Sequence, residues 1–279
     1  MKGSSRKIEA FPLITAYSII QLISCKILDN TTYMLYYYSA MKKDKILNYQ
    51  NTVLKALSNK IDDFYLAGGT ALSLFYFQHR LSVDLDFFSP TFSINRVNEI
   101  IQYLEDSLKK NIQLIGQNLK KDKAKIKIYN IYFTKKDILK IDFVEDVFKL
   151  IKKPKIIEGI KILSLEDIYI RKLYAVTGVL LIHDMIGKKK LIGGRVDAKD
   201  FFDIYYLSHT FNPLSKFINK YGNATMKEGL INWFRTYSRM QMIDGILNLH
   251  TDKKINYKIM ERHFKKQIDE IIEGQIGTI

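Results

Sequence analysis

The chain has 279 residues, 47% of them hydrophobic and 13% aromatic, with 44 Lys and Arg against 29 Asp and Glu for a formal charge of +15. This composition excludes a disordered chain, and the lone Cys25 excludes a disulfide framework or a cysteine-rich zinc site. The five histidines (His79, His183, His209, His250 and His263) have no metal-ligand spacing, and the basic excess favours polyanionic partners such as nucleic acid or nucleotides.

Taken in chain order, Arg6 and Lys7 precede the apolar run FPLITAYSIIQLISC, which has the outline of a signal segment. The run is short for a membrane span, and Lys26 directly after the cysteine argues against export. MKKDKILNYQ, from Met41, reads as an ordinary N-terminus. Residues 1–40 are therefore expected to be an accessory or artefactual extension of a cytoplasmic protein. Helical spacing over Ile46 to Ile61 sets Leu47, Val53, Leu54 and Leu57 on one face. FYLAGG predicts a short strand, Thr70 to Phe77 a short helix, and Val83 to Phe88 a second strand that Pro90 ends. Ser93 is placed to cap a helix from Ile94 to about Lys110. Strand-like segments follow at Ile112–Ile115, Lys125–Phe133 and Ile138–Val144. After the basic patch Lys152–Lys155 the character is helical to the end. Ser164 and Asp197 are plausible N-caps, Phe201, Phe202, Tyr205 and Tyr206 read as core, and Tyr257, Ile259, Met260, Phe264, Ile268, Ile271 and Ile272 form an apolar stripe. The expected fold class is α+β: a small mixed β-sheet domain over residues 41–153, followed by an all-helical domain over 154–279.

Chemistry concentrates in GGTALSLFYFQHRLSVDLDFFS, from Gly68 to Ser89. On an extended strand Asp84 and Asp86 project to one face about 7 Å apart, while Val83, Leu85 and Phe87 are expected against the core. Buried carboxylates that close repel each other and call for a cation. Two Mg²⁺ ions suit such a pair if a third carboxylate comes from a neighbouring strand. Asp142, in KIDFV, fits that place, with Glu145 and Asp146 as weaker alternatives and Lys140 as a purely structural ion-pair partner for it. The turn Gly68–Gly69–Thr70 between strand and helix lets backbone N–H groups approach a phosphate.

Gly68-Gly69-Thr70 followed by His79-Arg80-x-Ser82-x-Asp84-x-Asp86-Phe87-Phe88 closely resembles the nucleotidyltransferase AbiEii/AbiGii toxin family, of the DNA polymerase β-like nucleotidyltransferase superfamily. ILSLEDIYIRKLYAV, from Ile162, and RVDAKDFFDIYYL, from Arg195, are similar to its later motifs. The resemblance covers roughly residues 42–210. The link VTGVLLIHDMIGKKKLIGG is longer than the family's usual one. The resemblance implies that Asp84, Asp86 and Asp142 hold catalytic Mg²⁺, with Asp142 helping to deprotonate an attacking hydroxyl. It implies that Gly68, Gly69 and Thr70 cradle the triphosphate of an NTP, and that Lys172 contacts it from the helical domain. Arg80 and Ser82 of the metal loop, and the late pair Lys199 and Asp200, complete the nucleotide-binding set, with Asp203 ranked below Asp200. His79 is read as a packing or hydrogen-bonding residue.

The activity so implied is toxin-like transfer of NMP to an RNA acceptor, most plausibly a tRNA 3′ end, beside a cognate antitoxin. Transfer to a protein side chain or an antibiotic is the second reading. A non-catalytic relative that binds nucleotide or antitoxin is the third, and the intact Asp84, Asp86 and Asp142 oppose it.

Overall fold

The computed structural model describes residues 30–120, 123–178, 180–183, 185–187, 189–192, 194–251 and 255–276; within 30–42, 180–183 and 189–192, and at 276, only the backbone is described. The apolar run of residues 11–25 lies outside the described residues. By Cα proximity the chain separates into Met1–Leu47 and Asn48–Ile279. Among the described residues the first element is the helix α1 (Asn30–Leu57), which passes position 41 without a break. Among the described residues no helix is long and apolar enough to cross a membrane.

Seven strands make the sheet of the larger unit: β1 (Tyr65–Leu66), β2 (Asp84–Ser89), β3 (Asn111–Asn118), β4 (Ile126–Tyr132), β5 (Ile138–Glu145), β6 (Lys155–Ile157) and β7 (Ile160–Ile162). Their order is β3-β4-β5-β2-β1-β7-β6. β2 runs parallel to β5 and β1 parallel to β7, whereas the remaining pairs are antiparallel, so the sheet is mixed. Alternation decides the faces. Leu85 and Phe87 on β2, Ile141 and Phe143 on β5, and Tyr129 and Ile131 on β4 are buried, and they join one core with Val97, Ile100 and Leu104 of α3 (Ile94–Leu108). Phe87 and Phe143 stack across the parallel pair at 5.8 Å. Ser93 caps α3 by accepting the Arg96 N–H, and Lys109 ends it at φ +52. Val83 departs from the expected pattern. The strand begins only at Asp84, and Val83 is 42% exposed.

The half expected to be all helix opens with the β6–β7 hairpin, whose parallel bond to β1 completes the sheet. Its turn residues Glu158 and Gly159 both have positive φ, the signature of a tight two-residue hairpin. Strands of three residues are too short to show an alternating pattern. A second hairpin, β8 (Leu180–His183) with β9 (Lys189–Ile192), occupies the long link of that half. Among the described residues the other elements of that half are helices: α4 (Leu165–Thr177), α5 (Ala198–Tyr206) with a π-helical continuation Leu207–Phe211, α6 (Leu214–Tyr221), α7 (Ala224–Thr236), α8 (Arg239–Leu247) and α9 (Tyr257–Ile276). Ser164 and Asp197 cap α4 and α5 as expected. Phe201 lies against Trp233, Tyr237, Tyr257 and Phe264 and so ties α5 to α7 and α9. Met260, Phe264, Ile268 and Ile271 of α9 are buried, whereas Ile259, expected in the same stripe, is 52% exposed.

Candidate active site

The strand–glycine–helix turn leads from β1 into α2 (Gly68–Ala71), which continues as a π-helical segment, Leu72–Phe77. Gly68 has φ +68, and a Cβ there would run into the carboxylate of Asp86. A Cβ on Gly69 would run into the Arg80 guanidinium and come within 3.3 Å of Ser82 Oγ. Both glycines are therefore required by close approach, and together they bring the turn's backbone onto the carboxylate strand. Thr70 is fully buried, and its hydroxyl donates to the Asp84 carbonyl. The N-cap position is Ala67, without a side-chain cap.

The parallel register of β2 and β5 sets Asp84 opposite Lys140 and Asp86 opposite Asp142. Alternation then places all four side chains on the face away from the core. Lys140 Nζ lies 2.8 Å from Asp142 Oδ2 and 3.5 Å from Asp84 Oδ2. Ser82 Oγ donates to Asp84 Oδ1 at 3.4 Å. Burial, reinforced by the charges of Asp84 and Asp142, pushes the Asp86 carboxyl up to about 7, although Lys140 and Lys172 pull it back. Burial also raises Asp142, against the hydrogen bond from Lys140. Burial alone would lower Lys140, but its bond to Asp142 and the nearby Asp84 carry it upward.

Beside this face lies a buried ionic network. Arg80 grips Asp203 with two parallel bonds, Nε to Oδ1 at 2.7 Å and Nη2 to Oδ2 at 2.8 Å. His79 Nε2 shares Oδ1 at 2.8 Å, and its ring stacks on Phe202. Lys172 Nζ bridges Asp200 at 2.7 Å and Asp203 at 2.8 Å. Burial opposes the ionised Asp203, but Lys172, Arg80 and His79 overcome it and hold the carboxyl well below its usual range. The two clusters adjoin, since the charge of Lys172 acts on Asp86 and that of Asp84 on Arg80.

The structure thus brings Gly68, Gly69, Thr70, Arg80, Ser82, Asp84, Asp86 and Asp142 together, with Lys172 and Asp200 in the adjoining network. Asp203, ranked below Asp200 on sequence, is the network's hub. Lys199 is exposed and its side chain takes no part in those ion pairs. Asp146 and Glu145, the weaker acid alternatives, are engaged elsewhere: Asp146 accepts bonds from Tyr65 and Arg171, and Glu145 from Lys125. Gln50 was not legible in the sequence. It is fully buried on α1, and its Nε2 donates to the carbonyls of Ser82 at 2.9 Å and Asp84 at 3.3 Å. A glutamine facing inward on an amphipathic helix was the available signal.

Among the described residues no three His, Cys, Asp or Glu side chains converge on one point as they stand. The donor set is nonetheless that of a hard cation. It is all carboxylate, Asp142 Oδ1 is buried with no hydrogen-bond partner, and the Lys140 ammonium rests on two of the acids where positive charge is called for. Asp84, Asp86 and Asp142 fit such an ion once Lys140 moves aside.

Comparison with known proteins bears on this arrangement. The model of the family described as nucleotidyl transferase AbiEii toxin, type IV toxin–antitoxin system, matches residues 52–276. No curated protein matches. Among solved structures the chain is similar to JHP933 from Helicobacter pylori, at 19% identity and TM-score 0.51, over 84% of this chain and 96% of that one. It is also similar to MenT4, a nucleotidyltransferase toxin from Mycobacterium tuberculosis, at 12% identity and TM-score 0.47, over 84% and 85% of the two chains. The likeness to JHP933 is one of fold.

Proposed function

The chain belongs to the AbiEii nucleotidyltransferase toxin family, and from that premise we propose that it transfers NMP from an NTP to an RNA acceptor, a tRNA 3′ end, with release of pyrophosphate. The family is a nucleotidyltransferase family of type IV toxin–antitoxin systems, which points to an NTP substrate and an antitoxin partner. The observation that carries the reading is the register of β2 and β5, which sets Asp86 beside Asp142 on the face away from the core, next to the Gly68–Gly69 turn. The +15 charge supports an acceptor that is itself a line of phosphates, in the cytoplasm.

In this reading the backbone of Gly68 and Gly69 takes the triphosphate, with the Thr70 and Ser82 hydroxyls shaping the loop. Arg80, Lys172, Asp200 and Asp203 hold that loop and the adjoining helices rigid, and Lys199 meets the nucleotide from the solvent side. Asp84, Asp86 and Asp142 would hold Mg²⁺, two ions in the full complement, and the metal supplies charge neutralisation at the phosphate oxygens. The acceptor hydroxyl oxygen bonds to the α-phosphorus, and Asp142 helps to take its proton. The bond from the α-phosphorus to the bridging oxygen breaks, and pyrophosphate leaves with that electron pair.

The experiment is to incubate the protein with Mg²⁺, total tRNA and each α-³²P-labelled NTP in turn. Label in the tRNA band is the expected result. Label in protein or small molecules of a lysate, and none in RNA, would move the acceptor away from RNA.

A further inference from the structure

We propose that the outer flank of the sheet, β4 with the start of β5, is the acceptor-binding platform, where a single-stranded RNA 3′ end lies on Ile128, Tyr132 and Ile138 with its phosphates on Lys135 and Lys136. The inference rests on the RNA reading above and adds where the acceptor docks.

Sheet order divides the space around the carboxylates. Asp84, Asp86 and Asp142 stand on the two central strands, and the glycine turn rises from β1, on one side of them. An NTP whose phosphates sit on that turn leaves an acceptor the opposite side, over β4 and β3. The carboxylate face continues there. Ile128 is the register partner of Asp142, Asn130 of Lys140, and Tyr132 of Ile138. Partners opposite one another in an antiparallel pair share a face, so these side chains continue the face of the acids, with Ile128 one strand spacing of about 4.8 Å from Asp142. Ile128, Asn130 and Tyr132 are half-buried, Ile138 is 44% exposed, and Ile128, Tyr132 and Ile138 all stand outside the hydrophobic core. Apolar side chains and a tyrosine on an open sheet are what unstacked bases bind, and Asn130 adds donors and acceptors for a base edge.

The charge at the far end of the strip is complementary to a backbone. Asp142 to Ile138 spans about 13 Å along β5, which accommodates the last few nucleotides. The next turn carries the exposed Lys135 and Lys136, and Lys110, bonded through Nζ to the Phe133 carbonyl at 3.1 Å, stands at the same corner. Lys140, between Ile138 and Asp142 on β5, holds its ammonium on the carboxylates themselves. A cationic corner at the end of an apolar strip suits a chain that carries bases and phosphates together.

The test uses the full chain and a fluorescein-labelled single-stranded RNA with a free 3′ hydroxyl. The variants are Ile138→Asp and the double variant Lys135→Glu/Lys136→Glu, with binding read by anisotropy and Mg·NTP binding read separately. We expect at least tenfold weaker RNA binding and unchanged Mg·NTP affinity. For the double variant the slope of log affinity against log salt should shrink by roughly 1.4. A 4-thiouridine at the RNA 3′ end should crosslink to the β4 peptide containing Tyr132, a readout that needs no variant to fold. RNA binding within twofold of wild type with crosslinks elsewhere overturns the platform and leaves the RNA reading standing. Intact RNA binding with loss of a co-purifying protein in Ile138→Asp also overturns it and gives the face to that protein. Failure of the wild-type chain to bind any RNA overturns both.

Discussion

Lys140 Nζ sits 2.8 Å from Asp142 Oδ2, so a cation resting on the carboxylates of β2 and β5 is one that the chain itself supplies. Its reach to Asp84 at 3.5 Å makes it a counter-ion for two of the acids at once. A divalent ion bound by the same oxygens has to displace it.

Lys140→Met therefore raises affinity for Mn²⁺ or Mg²⁺ by roughly tenfold, a like charge having been removed from a partly screened site. The metal-free protein melts a few degrees lower, because three acids then face one another. Calorimetric titration and thermal melts with and without metal measure both. A fall in metal affinity would place the ammonium among the groups that help the ion bind.

Asp203 is buried and carries Arg80, His79 and Lys172, so Asp203→Asn leaves Arg80 without its paired carboxylate and Lys172 with Asp200 alone, and costs about 3–5 kcal/mol in urea unfolding. Its depressed carboxyl also gives a pH signature. Stability from Asp203 is fully present above the unfolded-state value near 4 and drains away as pH falls toward the lower folded value. Wild type should lose stability more steeply than Asp203→Asn below about pH 4. Parallel curves for the two proteins would show that the carboxyl is not ionised in the fold.

Gly68→Ala combines a left-handed backbone with a Cβ in the space of the Asp86 carboxylate. The strain alone is about 1–2 kcal/mol, and displacing Asp86 should remove NTP binding, as read by equilibrium dialysis. Alanine tolerated here with NTP affinity intact would separate the glycine turn from the nucleotide.

Gln50 acts on the site through backbone, its amide holding the carbonyls of Ser82 and Asp84. Gln50→Leu takes this donor from the buried Ser82 carbonyl and leaves Thr70 as the side-chain donor to the Asp84 carbonyl, a loss of about 1–3 kcal/mol. Since the entry of β2 loosens, kcat should fall more than KM for NTP rises. The opposite split, with kcat unchanged, would make Gln50 a stability residue only.

Much of this was legible in the sequence because the signals are local. DLDFF alternates acid and apolar residues on one strand, GGT marks the turn, and Ser93, Ser164 and Asp197 announce helix starts that the structure carries. What escaped depends on pairing at a distance. The register of Asp86 with Asp142 is a tertiary fact, and β6 and β7 exist because β1 offers them an edge. Asp200 and Asp203 occupy one helix three residues apart. Only the fold around Arg80 and Lys172 makes Asp203 the hub, and only the seat of α1 reveals why Gln50 is buried.

The most direct measurement of the central claim, that the acids of β2 and β5 work as one catalytic face, is single-turnover pyrophosphate release by Asp86→Asn and Asp142→Asn with saturating Mg·NTP and total tRNA, the fold of each variant verified by melting. The account predicts that each falls by at least about 10³-fold. Either variant folded and within tenfold of wild type would contradict it.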